Sequence, residues 1–166
     1  MDAETLRALQ APLKQDYREN PGHALVQSRS EGVIEQESLT CTLVNPRPAQ
    51  AGLHPAAGGP QGTACSADLL LDSLVACAGV TLAAVATAMG IKLREARVVA
   101  HSFWDARGTL AIDRAAPVGL GPINLTFKLD TDADEATRAR LLKSTERYCV
   151  IFQTLAAPPA CTVTLL

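Results

Sequence analysis

The residues of this chain best suited to chemistry are two cysteines, Cys77 and Cys149, which lie 72 positions apart. Cys77 lies within a long apolar helical pattern, and Cys149 follows an amphipathic helical pattern and opens a second, short apolar run. Two neighbouring thiols form a dithiol–disulfide couple, in which one thiolate attacks a peroxide oxygen to give a sulfenic acid and the other condenses with it. Spacing alone does not show that these two cysteines meet.

The composition limits the class of protein. A chain of 166 residues can form one domain with a hydrophobic core, and a formal net charge of -2 with scattered charges argues against a nucleic-acid partner. The N-terminus lacks the cationic start and apolar core of a signal peptide, and the most apolar window, residues 73–89, is slightly short for a membrane span. We therefore expect a cytoplasmic, reduced protein with no membrane span.

The five cysteines indicate neither a disulfide scaffold nor a metal site, because they form no Cys-x-x-Cys pair. We interpret Cys41 and Cys161 as strand residues, and Cys65, at a loop–helix junction, as either a packing residue or an exposed reactive thiol. Trp104 is interpreted as a core or interface anchor. We expect no metal and no bound cofactor, because the histidines show no ligand spacing and are interpreted as loop and strand residues: His23, His54 and His101.

The helices and strands that the sequence predicts around these cysteines indicate one α+β domain. Helical spacing covers residues 3–18 and 132–148, and the helix that carries Cys77 runs from about residue 67 to 89. This central helix is apolar on all sides, so we expect it to be buried in the middle of the fold or across a dimer seam. A loop rich in Pro and Gly covers residues 45–63. Strands are predicted over residues 23–30, 32–44, 96–105, 108–114, 123–130 and 161–166.

Two segments of the chain resemble a known family. The segment SADLLLDSLVAC, from Ser66 to Cys77, is similar to the pattern Ser-Pro-x-Glu-Leu-Leu-Leu-Ala-Ala-Leu-Ala-Cys of the OsmC/Ohr family, the osmotically inducible and organic hydroperoxide resistance proteins. The segment ERYC, which ends at Cys149, resembles the second cysteine segment of that family. The resemblance covers roughly residues 24–166, so we predict an N-terminal helical extension over residues 1–22 and an OsmC-like domain over residues 23–166.

The resemblance implies both a fold and an activity. The implied fold packs antiparallel sheets around a long buried central helix, in an intertwined homodimer with its active sites at the subunit interface. The implied activity is that of a thiol-dependent peroxidase, an antioxidant protein of the oxidative stress response that reduces organic hydroperoxides. Cys77 would be the peroxidatic cysteine and Cys149 the resolving one, and an external thiol or dithiol, such as a lipoyl group, would reduce the disulfide.

The family also uses an acidic residue and an arginine beside its first cysteine. Asp68 occupies the acidic position of the motif, but on one unbroken helix it lies on nearly the opposite face from Cys77. Its carboxylate would therefore need a break in the helix or a second chain to reach the thiol. The chain has no Gly-Gly-Arg segment, so Arg18 and Arg29 are the candidate activating arginines by position alone.

The departures from the family pattern leave an alternative open. The missing arginine motif and the very apolar central helix also suit an OsmC-like stress protein that binds a small molecule or a lipid without efficient peroxidase activity. In that case the thiols would be vestigial or sensory. A ligand retained in native mass spectrometry would favour this alternative, and rapid sulfenylation of Cys77 in a ligand-free protein would count against it.

Overall fold

The computed structural model describes residues 3–37, 40–44, 46 and 50–165. Short 3-10 turns precede β1 and interrupt the long loop, at Pro21–Ala24 and Pro55–Ala57. The helices are α1 (Ala3–Glu19), α2 (Ser66–Ala88), α3 (Ala106–Thr109), α4 (Glu135–Tyr148) and α5 (Val150–Ala156). The strands are β1 (Leu25–Glu35), β2 (Thr40–Leu43), β3 (Glu95–Asp105) and β4 (Asn124–Asp130).

The four strands form one sheet in the order β2-β1-β3-β4. β1 and β2 pair antiparallel, with Gly32 opposite Leu43 and Glu35 opposite Thr40. The α+β class is therefore as expected, but the described strands form a single sheet rather than several. The chain divides into two compact units, which are described in turn. The first consists of Met1–Glu31, Val44–Asp72 and Val99–Thr126, and the second of Gly32–Leu43, Ser73–Val98 and Phe127–Leu166.

The first unit has its own hydrophobic core, to which α1 contributes. The Tyr17 hydroxyl donates a hydrogen bond to the Ala56 carbonyl oxygen (2.9 Å), and the Gln10 side-chain amide donates one to the Ala57 carbonyl oxygen (3.0 Å). Helix α1, expected as an extension of the domain, is thus packed into this unit. The buried residues of the core are Tyr17, Ala24, Ala57, Trp104, Ala106 and Leu110.

The second unit depends on close packing against α2. A Cβ atom on Gly79 of α2 would lie 2.4 Å from the Cys41 Sγ atom, and one on Gly32 of β1 would lie 2.6 Å from it. The Cys41 thiol also contacts the Val75 carbonyl oxygen at 3.7 Å. Cys41 is therefore a packing residue, as the alternation of its strand predicts, and it fills the space that the two glycines leave.

The chain does not break between residues 30 and 32, contrary to the sequence prediction. The strands predicted over residues 23–30 and 32–44 are replaced by the turn Pro21–Ala24, the continuous strand β1 and the short strand β2. Within β1, the missing side chain of Gly32 makes room for Cys41. Residues 38 and 39 lie outside the described residues, as do residues 45 and 47–49 of the predicted loop.

Two predicted strands are wrong. Over residues 108–114 the structure has the end of α3 and irregular chain, because the Asp105 carboxylate accepts the Arg107 N–H (2.9 Å) and so begins a helical turn. Residues 161–165 alternate like a strand but form none in the structure, and Val163 and Leu165 are almost fully exposed. Within the described chain this segment has no buried face, and residue 166 lies outside that part.

Helix α2 is buried along one stripe rather than all round. Its exposed positions include Leu70, Val80 and Ala84, so within a single chain the helix is not buried on every side, and its burial across a dimer seam stays a prediction. Among the described helices, α2 is long and apolar enough to span a membrane, but half of its most apolar window is buried within the protein, as in the core helix of a globular domain. The buried stripe consists of Leu71, Leu74, Val75, Ala78, Leu82, Ala83 and Ala86.

Candidate active site

The second unit brings the Cys77 and Cys149 thiols into hydrogen-bond contact. Cys77 lies on α2, and Cys149 is the single residue between α4 and α5. Both cysteines are free thiols in this structure. Two residues 72 positions apart in sequence therefore form one dithiol site, which is the arrangement that a dithiol–disulfide couple requires.

The break between α4 and α5 fixes the position of Cys149. Asp134 caps the start of α4 by accepting the Thr137 N–H (2.7 Å), and the buried Thr145 hydroxyl donates back to the Leu141 carbonyl oxygen (2.9 Å). The Cys149 N–H still closes the last turn of α4 on Thr145 (2.9 Å), but its own backbone is extended, with φ -73° and ψ 108°. This extended residue ends α4 and serves as the N-cap of α5.

Cys149 is held as a neutral thiol. Only 1% of its surface is exposed, and this burial is the main cause that raises its pKa from 9.0 to about 11. The hydrogen bond with Cys77 acts in the same direction. The N–H groups of Ile151 and Phe152, at the start of α5, act in the opposite direction and lower the pKa, but burial outweighs them.

The direction of these effects distinguishes the two thiols. The hydrogen bond with Cys77 raises the pKa of Cys149 and therefore favours the protonated form of the Cys149 thiol. Cys77 is only partly buried, whereas Cys149 is almost fully enclosed. A solute therefore reaches the Cys77 sulfur more easily than the Cys149 sulfur.

The acidic candidate Asp68 lies in the first turn of α2. Its charge acts on His54, the residue that precedes the 3-10 turn Pro55–Ala57. Helix α2 is unbroken between Asp68 and Cys77, so ideal helix geometry separates the two residues by about 13 Å along the axis and by half a rotation around it. The break in the helix that would let the Asp68 carboxylate reach the Cys77 thiol within one chain is therefore not present.

The two candidate arginines lie in the first unit. Arg18 is exposed in the last turn of α1, and Arg29 is exposed on β1, where it forms an ion pair with Glu31. Neither arginine shifts the pKa of Cys149. Among the described residues, no other cationic side chain shifts it either. The choice of an activating arginine stays a prediction.

The remaining cysteines lie elsewhere. Burial raises the pKa of Cys41, which is packed in the second unit. Cys65 is partly buried and lines an apolar pocket of the first unit. Cys161 is exposed, its thiol contacting the Pro159 carbonyl oxygen at 3.6 Å. Among the described residues, no group of three or more His, Cys, Asp or Glu side chains is arranged to hold a metal ion.

The environment of His54 was not expected from the sequence. The His54 and Trp104 rings meet edge to face with their centroids 5.2 Å apart, and the His54 Nδ1 atom accepts the Ala56 N–H (3.0 Å). The sequence signal was available, because Pro55 at the first position of a helical turn marks His54 as the N-cap. Trp104, expected as an anchor, is 6% exposed and belongs to the core of the first unit.

Comparison with known proteins agrees with this architecture. The structure is similar to the crystal structure of an OsmC-like hydroperoxide resistance protein from Jannaschia sp. CCS1, with a TM-score of 0.54 and 16% sequence identity over 84% of this chain and 91% of that one. No curated protein matches the sequence significantly. The family model described as OsmC-like protein matches residues 59–164, which include α2 and both cysteines of the thiol pair. The chain therefore belongs to the OsmC-like protein family.

Proposed function

We propose that the protein is a thiol-dependent peroxidase that reduces organic hydroperoxides through Cys77 and Cys149. The observation that carries the proposal is the hydrogen bond between these two thiols, one partly exposed and the other enclosed. Membership of the OsmC-like family and the likeness to a hydroperoxide resistance protein support a peroxidase-related role.

The first step takes place at Cys77. Its thiolate attacks the distal oxygen of the hydroperoxide, the O–O bond breaks, and the alkoxide leaves and takes up a proton to become an alcohol. Cys77 is oxidised to a sulfenic acid and the peroxide is reduced. In this step the neighbouring Cys149 S–H group donates a hydrogen bond to the charged Cys77 sulfur.

The second step uses the enclosed thiol. The Cys149 sulfur attacks the Cys77 sulfenic sulfur, an S–S bond forms, and the hydroxyl leaves with the Cys149 proton as water. Negative charge develops on Cys149 as its proton leaves, and the N–H groups of Ile151 and Phe152 are in place to stabilise it. An external dithiol, for which a lipoyl group is one candidate, then reduces the disulfide and is itself oxidised. The reaction needs no bound cofactor.

We further propose that the protein acts as a cytoplasmic homodimer. Apolar side chains next to the thiol pair are exposed in the single chain, among them Val150 (68%) and Tyr148 (63%), and Val80 on α2 is also exposed. A second copy that covers these side chains would exclude water from the site. The same copy would be the source of an acidic residue and an arginine, the roles for which Asp68, Arg18 and Arg29 are the candidates.

The test follows the loss of cumene hydroperoxide in the presence of a dithiol. We expect steady turnover by the wild type and none by Cys77→Ser. For Cys149→Ser, with the dithiol left out, we expect one equivalent of peroxide to be consumed and a sulfenic acid to remain on Cys77, which dimedone traps for mass spectrometry. Cys161→Ser is the matched control, since Cys161 is exposed and lies outside the pair, and it should turn over at the wild-type rate.

Equal rates for the wild type and Cys77→Ser would contradict the proposal. That result would favour the alternative, a ligand-binding stress protein whose thiols have no efficient peroxidase activity. The observation in favour of the alternative is that, among the described residues, no cation contributes to the shift of the Cys149 pKa. Native mass spectrometry of the purified protein would then be expected to reveal a retained apolar molecule.

A further inference from the structure

The first unit contains an open pocket of about 290 Å³ at the start of α2. This volume is at the small end of the range of about 300–1,000 Å³ that is typical of ligand sites. Its walls are mostly apolar, with the edge of the core at Trp104 on one side and exposed Val118 (66%) at the rim. The apolar lining residues are Leu53, Ala57, Ala67, Trp104, Val118 and Leu120.

Two of the residues that line this pocket, His54 and Trp104, carry a ring N–H donor. Burial lowers the pKa of His54, so its ring is neutral near pH 7, and because Nδ1 accepts the Ala56 N–H, the ring proton lies on Nε2. The Trp104 Nε1–H group is buried and has no hydrogen-bond acceptor within the described residues. Buried donors without an acceptor are rare in folded proteins, and each one calls for an explanation.

The absence of charged side chains from the described lining limits which ligands the pocket can bind. Of the described residues that line it, none is Asp, Glu, Lys or Arg. Asp68, one position beyond the lining residue Ala67, acts on His54 with its negative charge. An anionic ligand would therefore be repelled and a cationic one would find no carboxylate in the wall, which leaves a neutral molecule.

We propose that this pocket binds a small, neutral, mostly apolar molecule that carries a carbonyl-type hydrogen-bond acceptor. The apolar body packs against Trp104 and Leu120, and the acceptor takes a hydrogen bond from the Trp104 indole N–H or the His54 Nε2–H. The bound molecule thus supplies the acceptor that Trp104 lacks. The site is separate from the Cys77–Cys149 pair and does not depend on the proposed peroxidase activity.

The single tryptophan of the chain gives this proposal a direct readout. In the ¹⁵N-labelled full-length protein, the Trp104 indole N–H produces one well-separated NMR signal. Acetophenone, a small aromatic ketone, should shift this signal downfield and saturably in the millimolar range. Ethylbenzene has a similar shape without the acceptor and should cause no downfield shift, and benzoate, which carries a negative charge, should bind more weakly than acetophenone.

Three variants test the location of the site. Val118→Phe at the rim should abolish the saturable shift, whereas Val163→Phe, a matched change at a fully exposed position, should leave it unchanged. His54→Asn keeps an oxygen that can cap the Ala56 N–H but removes the Nε2–H donor, so acetophenone should bind about fivefold more weakly. The proposal is overturned if acetophenone gives no saturable shift, if ethylbenzene gives the same downfield shift, or if Val118→Phe responds like the wild type.

Discussion

The enclosed Cys149 thiol is in hydrogen-bond contact with the partly exposed Cys77 thiol, and this contact adds to the effect of burial in raising the pKa of Cys149. The two cysteines of the pair are therefore not equivalent. The enclosed thiol stays protonated at neutral pH, and the other thiol is more accessible to a solute. This asymmetry supports the proposal that Cys77 attacks the peroxide and that Cys149 closes the disulfide.

Removal of the Cys149 donor should slow the first oxidation of Cys77. In Cys149→Ala the reaction of one equivalent of cumene hydroperoxide with Cys77 should be about tenfold slower, because a hydrogen bond to a charged group contributes about 1.5–3 kcal/mol. Cys149→Ser keeps an O–H donor, so its rate should lie between those of Cys149→Ala and the wild type. Rapid mixing with dimedone and mass spectrometry of the Cys77 adduct measures these rates. Wild-type rates in both variants would show that Cys149 does not assist the attack.

Oxidation of the pair should stabilise the protein. A disulfide between Cys77 and Cys149 closes a loop of about 72 residues, which in the chain-entropy estimate contributes about 4 kcal/mol before any strain is subtracted. We expect a higher Tm for the oxidised than for the reduced wild type in differential scanning calorimetry. Cys161→Ser should show the same increase and Cys77→Ser none. An unchanged Tm, with the disulfide verified by mass spectrometry, would contradict the expectation.

The raised pKa of Cys149 predicts a loss of stability at alkaline pH. The unfolded thiol ionises near pH 9.0 and the folded one near 11, so above pH 9 the unfolded state releases its proton first and becomes more favourable. The contribution of Cys149 is fully present below pH 9 and is lost as the pH rises to about 11, by about 2–3 kcal/mol in all.

Comparison with Cys149→Ser isolates this effect. Tyr17 and Cys41, whose pKa values burial also raises, are present in both proteins and cancel in the difference. Urea denaturation under reducing conditions should show that the difference in the free energy of unfolding narrows between pH 9 and pH 11. A difference that stays constant over this range would mean that the folded and unfolded thiols ionise at the same pH.

Gly79→Ala should destabilise the second unit. The new Cβ atom would lie 2.4 Å from the Cys41 Sγ atom and 2.7 Å from its Cβ atom, which requires a shift of β2 or α2. The expected cost in the free energy of unfolding is about 1–3 kcal/mol, despite the better helix propensity of alanine. Gly22→Ala is the control, because its Cβ would meet nothing within 4 Å, and it should change the stability by less than about 0.5 kcal/mol. Equal stability of the two variants in urea denaturation would contradict this packing.

The sequence by itself determined the longer helices and the family. The apolar pattern before and after Cys77 predicts α2 with nearly its observed bounds, and the helix predicted over residues 132–148 ends where α4 ends. The motifs around Cys77 and Cys149 were sufficient to recognise the OsmC-like family. These features could be predicted because they depend on residues a few positions apart, where helix periodicity and capping leave a readable pattern.

The tertiary structure decided what depends on contacts between distant residues. It brought Cys77 and Cys149 together and gave Cys149 the burial that keeps it protonated, and neither result follows from their spacing. It also joined the end of one predicted strand and the start of the next, on either side of Glu31, into the single strand β1. Packing between segments far apart in the chain sets solvent exposure and close approach, and no local pattern encodes either.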